Sequence, residues 1–265
     1  MNEKRHWEKL APDYNAEIFD VYASDKFKKL PRYISKHASQ NRTAIDFGCG
    51  NGKSFPLLSP AFNSVLGLDI SKSLLKQAAA RGYKNVTLKT HDVTHKLKVP
   101  KADFAFCCNV VMFPDLKKNE IAFKNIARAI KPGGTALFVL PSLDSALFSS
   151  WQLIQLYERE GVKAADIPAH EFHYFKGSKR DMVQGIVYID TVPTKHYAAS
   201  ELEVILPRAG FKITKLEKIE YDWNTEIAEP PKGLGAPYPW DWLVECALYV
   251  DTSLAAQVVK RVKLI

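Results

Sequence analysis

Short apolar runs separated by amphipathic stretches fill the middle of the chain. Between residues 43 and 142 the apolar runs are, in order, TAIDFG, SVLGLDI, NVTLKTHD, ADFAFCCNVV and TALFVLPS. Strand-length runs that alternate with helical stretches are typical of parallel strands connected by crossover helices. The pattern therefore predicts an α/β fold with five parallel strands in this region.

Two of the connecting helices have recognisable borders. Ser71 stands where an N-cap belongs before KSLLKQAAARGY, and Gly82 stands where that helix should end. A second helix is predicted from about Leu116 to Ile130, after which the sequence KPGG should turn the chain sharply into the fifth strand.

The regions on either side of this core have different patterns. Residues 1–40 show helical spacing of apolar positions, which Pro31 interrupts, and are predicted to form a helical cap on the core of residues 41–142. Residues 143–195 contain a helical stretch, a loop at AHEFHYFKG and one extra strand at DMVQGIVYIDTV, and we interpret them as an inserted lid. Residues 196–265 contain a helix and two closing strands, which a loop joins and which should therefore pair antiparallel.

Composition is that of an ordinary globular protein. With 265 residues, 46% of them hydrophobic, the chain is long enough to bury one large core. The charged stretch MNEKRHWEKL lacks the apolar centre of a signal peptide, and no run of about 18 apolar residues is present, so we predict a cytoplasmic protein without a membrane span. The four cysteines form no C-x-x-C pair and are predicted to be reduced, mostly buried thiols.

The chain carries a net charge of +8, which raises nucleic acid as a partner. The basic residues are widely spread, however, and the densest runs are KFKKL at residues 26–30 and KRVKLI at residues 260–265. Solvated helix faces account for such runs without an anionic ligand. We therefore predict no nucleic-acid partner.

A glycine loop follows the first apolar run, in the sequence AIDFGCGNG, with glycines at Gly48, Gly50 and Gly52. A dinucleotide-binding loop has the spacing G-x-G-x-x-G, which would place its third glycine at position 53, and that residue is Lys53. The carboxylate of Asp46, directly before the loop, would also repel a pyrophosphate. The loop therefore suits a ligand that carries positive charge.

This D-x-G-x-G-x-G loop resembles the first motif of the class I S-adenosylmethionine-dependent methyltransferases, and residues 43–142 match that family's motifs in order and spacing. The resemblance implies a Rossmann-like, seven-stranded, mostly parallel sheet with an antiparallel last strand. It also implies S-adenosylmethionine as the cofactor, whose ammonium and sulfonium groups favour an acid at the end of the strand.

The resemblance assigns cofactor-binding roles to further residues. Asp69, in VLGLDIS, would accept hydrogen bonds from both ribose hydroxyls. Asp92, in LKTHDVT, would receive the adenine amino group, with the backbone N–H of Val93 beside the ring. Asn109 would lie beside the methionine portion. The full predicted set is Tyr14, Asp46, Gly48, Gly50, Gly52, Asp69, Ile70, Asp92, Val93 and Asn109.

Several of these residues have an alternative interpretation. Asp69 also matches the ribose-binding acid of nicotinamide-binding folds, and Asp92 matches a helix cap or turn residue. Tyr14, in the entry helix HWEKLAPDY, would close over the cofactor as in the family, or would pack that helix onto the core together with Trp7. The aromatic loop APYPWDW would line the pocket or close its edge.

The chemistry itself requires few catalytic groups. Methyl transfer from a sulfonium is an in-line displacement, so alignment of the acceptor about 3 to 3.5 Å from the methyl carbon supplies much of the catalysis. His173 and His196 are the candidate bases, since both lie in segments expected at the rim of the pocket. HEFH lacks the spacing of a zinc motif, and CCN after the fourth strand offers no pair of acids for magnesium, so we predict no metal.

We predict a methyltransferase that acts on a small molecule. After the fourth strand the chain reads NVVM, where the family's amino-methylating nucleic-acid and protein-glutamine enzymes carry N-P-P-Y or D-P-P-Y. The length, the helical N-terminus and the insertion resemble the quinone-biosynthesis-like branch. The alternatives are an RNA or protein methyltransferase and a non-catalytic S-adenosylmethionine-binding protein. These motifs are compatible with an oxygen, nitrogen, carbon or sulfur acceptor and with any oligomeric state.

Overall fold

A seven-stranded sheet forms the centre of the molecule in the computed structural model, which describes residues 2–189, 191–227 and 229–249. Its strands are β1 (Ser39–Phe47), β2 (Phe62–Asp69), β3 (Val86–Thr90), β4 (Ala102–Cys108), β5 (Ile130–Pro141), β8 (Phe211–Glu220) and β9 (Trp240–Leu248); a separate hairpin contains β6 (Ile186–Ile189) and β7 (Val192–Lys195). The strand order is β3-β2-β1-β4-β5-β9-β8, and β9 is antiparallel to both of its neighbours. The predicted Rossmann-like fold class is confirmed.

Ten α-helices accompany these strands in the described ranges. They are α1 (Glu3–Leu10), α2 (Tyr14–Glu17), α3 (Val21–Ser24), α4 (Lys29–Lys36), α5 (Phe55–Ala61), α6 (Lys72–Ala80), α7 (Leu116–Arg128), α8 (Leu143–Arg159), α9 (Lys179–Val183) and α10 (Ala199–Arg208). The predicted cap of α6 is confirmed, because the Ser71 hydroxyl accepts a hydrogen bond from the Leu74 N–H at 3.2 Å. Gly82, with φ of +73°, lies just beyond the end of that helix, as predicted.

Three details of the predicted elements are wrong. Pro31 does not interrupt a helix but lies in the first turn of α4, where a missing N–H costs nothing. Ile130 does not end α7 but is the first residue of β5. The KPGG sequence also belongs to β5, and the pairing of β5 with β4 changes register there, between Ala102 and Phe104. The extra strand predicted at DMVQGIVYIDTV is the end of α9 followed by the β6–β7 hairpin.

The insertion between β5 and α10 is more ordered than its sequence indicates. AHEFHYFKG, predicted as a loop, contains a 3-10 helix at Ala169–Phe175. Helix α8 begins at Leu143 and β7 ends at Lys195, which are the bounds predicted for the lid. The role of this segment as a lid, and the division of the chain into four parts, stay predictions; the basic run at residues 260–265 lies outside the described residues.

Apolar layers pack on both faces of the sheet. One layer includes Phe123 of α7 and Leu202 of α10, and the other includes Leu30 of α4 and Leu58 of α5. The adjacent cysteines of β4 divide between these layers, Cys107 in the first and Cys108 against the second, and all four cysteines are free thiols. In the part of the chain that is described, no helix is long and apolar enough to cross a membrane.

The order of the strands determines where functional residues meet. The carboxyl ends of β1, β2 and β4 lie side by side, because these strands are parallel neighbours. The antiparallel strand β9 begins at the same edge, since Asp241 pairs with Pro141 at the end of β5. This edge is the place where ligands bind in open α/β sheets.

Candidate active site

The glycine loop between β1 and α5 is a backbone structure that other residues cannot readily form. Gly48, Gly50 and Gly52 have φ values of +71°, +54° and +81°, in the left-handed region that favours glycine. The N–H groups of Gly48 and Cys49 both donate to the carbonyl of Leu68, at 2.7 and 2.8 Å, which fastens the loop to β2. A Cβ atom on Gly48 would lie 2.1 Å from Val110 Cγ2, so the loop also packs tightly against the segment after β4.

Two carboxylates flank this loop. Asp46 is buried at the end of β1 and accepts a hydrogen bond from the Ser54 hydroxyl; burial, together with the charge of Asp69, raises the pKa of Asp46 to about 7. Asp69 accepts hydrogen bonds from the backbone N–H groups of Gly50 and Ser71, each at 2.8 Å, and burial raises its pKa as well. Neither acid forms an ion pair with a described Lys, Arg or His side chain. The loop and these two acids, which lack a counter-charge among the described residues, form a site that we name the cradle.

The N-terminal helices cover the cradle. The Tyr14 hydroxyl lies over Gly50, and burial raises the pKa of Tyr14 well above its ordinary value. Glu8 accepts hydrogen bonds from the backbone N–H groups of Lys72 and Ser73, at 2.7 and 3.3 Å, so it caps the first turn of α6. These contacts bring the predicted residue Tyr14 to the predicted loop, with the Trp7 ring 6.4 Å from the Tyr14 ring.

Asp92, after β3, has the turn geometry that was its structural alternative. One carboxylate oxygen accepts from the backbone N–H and the hydroxyl of Thr94, at 2.8 and 2.7 Å, and the other lies 3.4 Å from the His95 ring. The side chain of Val93 is buried in the core, and its carbonyl accepts from Asn125. Ile70 is half-buried beside Asp69. The predicted contacts of Asp92 and Val93 with adenine stay predictions.

Asn109, after β4, connects the cradle edge to the closing strands. Its backbone is left-handed, with φ of +51°, and its side-chain NH₂ donates to the Asp241 carboxylate at 3.0 Å. The Tyr221 hydroxyl donates to the same carboxylate at 2.8 Å. The side-chain oxygen of Asn109 is buried and has no hydrogen-bond partner in the described part of the chain.

Another carboxylate lies beyond Asp241, in the loop between β8 and β9. Glu226 accepts a hydrogen bond from the Tyr174 hydroxyl at 3.2 Å, and Tyr174 belongs to the 3-10 helix of the insertion. Burial and the nearby charge of Asp241 raise the pKa of Glu226 to about 7. The insertion and the closing loop therefore meet at an acid that changes its charge near neutral pH.

The central segment is similar to a known family. Residues 45–138, which contain the cradle, Asp69, Asp92 and Asn109, match the family model described as "Methyltransferase domain". The match covers this central segment and less than half of the chain. Over a longer range of 233 residues, the chain is 24% identical to an uncharacterized protein of Methanocaldococcus jannaschii. This match covers 87% of this chain and 82% of that protein.

Solved structures share the fold of the domain and of its flanking regions. An S-adenosylmethionine-dependent methyltransferase from Mesorhizobium loti has a TM-score of 0.60 at 18% identity, covering 86% of this chain and 100% of that one. The N-methyltransferase NodS from Bradyrhizobium japonicum, solved with S-adenosylhomocysteine, has a TM-score of 0.56 at 12% identity, covering 94% and 99%. The Mesorhizobium loti protein thus depends on S-adenosylmethionine, the predicted cofactor, and NodS was solved with its demethylated product.

The two histidines proposed as bases occupy different surroundings. His173 is exposed, and its ring lies 4.4 Å from that of Tyr174, the neighbour that points toward Glu226. His196 lies 3.2 Å from the Thr194 carbonyl through Nδ1, and burial lowers its pKa to about 4, so it is neutral at pH 7. Their catalytic roles stay predictions. No group of three or more His, Cys, Asp or Glu residues suited to a metal occurs within the described ranges.

Proposed function

We propose that this protein transfers a methyl group from S-adenosylmethionine to a small-molecule acceptor. The observation that carries the proposal is the glycine loop with its two carboxylates, Asp46 and Asp69, which have no cationic partner in the described structure. Buried carboxylates without a counter-charge favour a positively charged ligand. S-adenosylmethionine carries positive charge on its sulfonium and ammonium groups, and its ribose carries two hydroxyls. The two carboxylates suit both the positive charge and the hydroxyl donors.

The residues around the loop would hold the cofactor by complementary contacts. Asp69 would accept hydrogen bonds from the ribose hydroxyls in addition to the Gly50 and Ser71 N–H groups that it already accepts. Tyr14 would close the cap over the bound molecule, and Asp92 would receive the adenine amino group. When bound, the cofactor supplies a methyl group that its sulfonium has activated for displacement.

Catalysis then depends mainly on orientation. The cradle fixes the donor at the carboxyl edge of β1 and β2, while β4 and β9 carry residues at the same edge. The insertion of residues 143–195 and the N-terminal cap would select the acceptor and exclude water. We include the quinone-biosynthesis-like branch in the proposal because of the chain length, the helical cap and the position of the insertion.

A calorimetric titration tests the cofactor assignment directly. The purified protein is titrated in parallel with S-adenosylmethionine, S-adenosylhomocysteine and NAD. Micromolar affinity for the first two, without heat from NAD, is expected. Binding of NAD alone would overturn the proposal, because it would show that the loop holds a pyrophosphate despite its glycine spacing. Production of S-adenosylhomocysteine with a panel of small acceptors then tests turnover.

A further inference from the structure

Five side chains, which we name the acceptor-side cluster, form two neighbouring hydrogen-bonded groups: Asp241 with Asn109 and Tyr221, and Glu226 with Tyr174. Two of its members are carboxylates, and hydroxyl or amide groups of the other three donate to them at 2.8 to 3.2 Å. The members come from the end of β4, the insertion, the end of β8, the β8–β9 loop and the start of β9. The cluster is therefore assembled where the insertion meets the substrate edge of the sheet.

The cluster lies next to the cofactor cradle. Asn109 is the first residue after β4, and the following residue, Val110, packs its side chain against Gly48 of the loop. Asp241, which accepts from Asn109, is close enough to Glu226 for its charge to raise the pKa of that residue. Contacts thus lead from the loop through Asn109 to Asp241 and Tyr221, and Glu226 follows Tyr221 by five residues in the chain.

The cluster offers hydrogen-bond acceptors and lacks a compensating cation. Glu226 and Asp241 form no ion pair with any described basic side chain, and no basic group contributes to the pKa shift of either residue. In addition, the buried side-chain oxygen of Asn109 has no donor within the described ranges. An amide oxygen left in this state costs free energy unless a ligand supplies an N–H or O–H group. An ammonium group carries three such donors and a positive charge.

One exposed aromatic ring lies against the cluster. Phe19, between α2 and α3, is 43% exposed, and its ring lies 4.8 Å from that of Tyr221 in an edge-to-face arrangement. Faces of aromatic rings attract cations, and rings next to carboxylates are a recurrent surrounding for bound ammonium groups. This pair of rings therefore favours the same ligand chemistry as the carboxylates.

We propose that the methyl acceptor is an amine that enters as an ammonium ion, and that Glu226 is the base that removes its proton. This inference rests on the proposed function. The ammonium gives one proton to the Glu226 carboxylate and becomes a neutral amine. The freed electron pair of nitrogen forms a bond to the methyl carbon, the bond from that carbon to sulfur breaks, and its electrons stay on sulfur. The product leaves as a methylated ammonium ion.

Tyr174 and Asp241 have positioning roles in this step. The Tyr174 hydroxyl fixes one oxygen of Glu226, which leaves the other oxygen for the acceptor. Asp241 holds Asn109 and Tyr221 and adds negative charge that keeps the proton affinity of Glu226 high. The titratable groups shown to act on Glu226 are thus Asp241 and Tyr174, and neither carries positive charge.

A binding experiment on protein saturated with S-adenosylhomocysteine tests the acceptor class. The probes are matched sets of similar shape: benzylamine, 4-methylphenol and benzoate, and cyclohexylamine, cyclohexanol and cyclohexanecarboxylate. We expect an amine to bind at least about tenfold more tightly than the matched alcohol and acid, and Glu226→Gln to remove that preference. Glu120→Gln, on the exposed face of α7, is the control and should leave it unchanged.

The outcomes separate this inference from the proposed function. If S-adenosylhomocysteine does not bind, the proposed function fails. If it binds but neither amine is preferred, or if Glu226→Gln keeps the preference, the acceptor proposal is overturned while the cofactor assignment stands. Unchanged affinity of Glu226→Gln for S-adenosylhomocysteine shows that the variant is folded.

A pH profile of turnover tests the base. With the preferred amine, kcat/KM of the wild type should rise with pH through about 7, where Glu226 becomes ionised. Glu226→Gln should lose that dependence and about 100-fold in kcat, the usual contribution of a general base. Tyr174→Phe should shift the profile and keep most of kcat. A Glu226→Gln profile identical to that of the wild type would exclude Glu226 as the base.

Discussion

The hydroxyl of Tyr14 lies against the backbone of Gly50, so that a Cβ atom on residue 50 would be 2.6 Å from the hydroxyl oxygen. This contact joins the N-terminal cap to the loop proposed to hold the cofactor. It also explains why the middle glycine of the motif has to be glycine: its φ of +54° is unfavourable for other residues, and the space beside it is filled.

Gly50→Ala should therefore impair both stability and cofactor binding. The left-handed backbone costs about 1 kcal/mol with a side chain present, and the methyl group would displace Tyr14. We expect S-adenosylhomocysteine to bind at least about tenfold more weakly in a calorimetric titration. Gly82→Ala is the matched control, because Gly82 has φ of +73° and a Cβ atom there would have no described atom within 4 Å. Equal affinities of the two variants would contradict this account.

Asp69→Ala should weaken cofactor binding in two ways. It removes the carboxylate proposed to hold the ribose, and it leaves the Gly50 and Ser71 N–H groups without their acceptor. We expect a loss of at least about tenfold in affinity for S-adenosylhomocysteine, measured by calorimetry. Asp103→Ala is a suitable control, since that acid binds Thr43 and Lys131 at the opposite end of β4. Unchanged affinity of Asp69→Ala would refute the assignment.

Asp46 should make cofactor affinity depend on pH. Its pKa is raised to about 7, so the carboxylate is mostly protonated at pH 6 and mostly ionised at pH 8. The affinity for the cationic S-adenosylmethionine should rise over this interval, and that for S-adenosylhomocysteine, which lacks the sulfonium, should rise less. Titrations at both pH values compare the two ligands. In Asp46→Asn the difference between the ligands should no longer change with pH.

The same carboxylate should lower the stability of the ligand-free protein as pH rises. A folded-state pKa above the ordinary value means that the folded protein binds the Asp46 proton more tightly than the unfolded chain does. The contribution of Asp46 to the free energy of unfolding is complete below about pH 3.9, the pKa of the carboxyl in the unfolded chain. It decreases as the pH rises from there to about 7, the pKa in the folded protein. Asp46→Asn, which stays neutral, should lose less stability between pH 5 and 8 in urea denaturation. An identical decrease in both proteins would exclude Asp46 as its source.

Local sequence patterns were sufficient to predict the parallel strands of the core and the glycine loop, whereas the seven-stranded sheet was predicted from the resemblance to a family. The alternation of apolar runs reflects strands buried on both faces, and the glycine spacing reflects a loop whose backbone must be left-handed at Gly48, Gly50 and Gly52. Asp69 ends its strand, so its place beside the loop depends only on β1 and β2 being neighbours. Such short-range relationships can be read from one sequence.

The acceptor-side cluster could not be predicted in this way, because its contacts join distant parts of the chain. Asn109 and Asp241 are 132 residues apart, and Tyr174 and Glu226 are 52 apart. Asp241 belongs to the aromatic loop APYPWDW noted from the sequence, but Glu226 lies in an irregular segment without a motif. Tyr174 lies in a 3-10 helix that was predicted as a loop, so the sequence did not show its contact with Glu226.

The insertion is anchored to the core by a buried lysine, which sets a last prediction. Lys195 is 1% exposed, and its ammonium donates to the carbonyls of Gln184 and His196, each at 2.8 Å, and to the Glu201 carboxylate at 2.6 Å. These bonds join the end of α9 to β7 and α10. Removing one partner of such a pair leaves the other uncompensated, so Lys195→Met should lower the free energy of unfolding by about 3 kcal/mol.

Urea denaturation of Lys195→Met and of Lys124→Met checks this expectation. Lys124 pairs with Glu120 on the exposed face of α7, 3.7 Å apart, and its loss should cost less than about 0.5 kcal/mol. Because Lys195 contacts neither the glycine loop nor Asp69, S-adenosylhomocysteine should still bind Lys195→Met with wild-type affinity where the variant is folded. A Lys195→Met protein as stable as Lys124→Met would mean that packing alone holds the insertion in place.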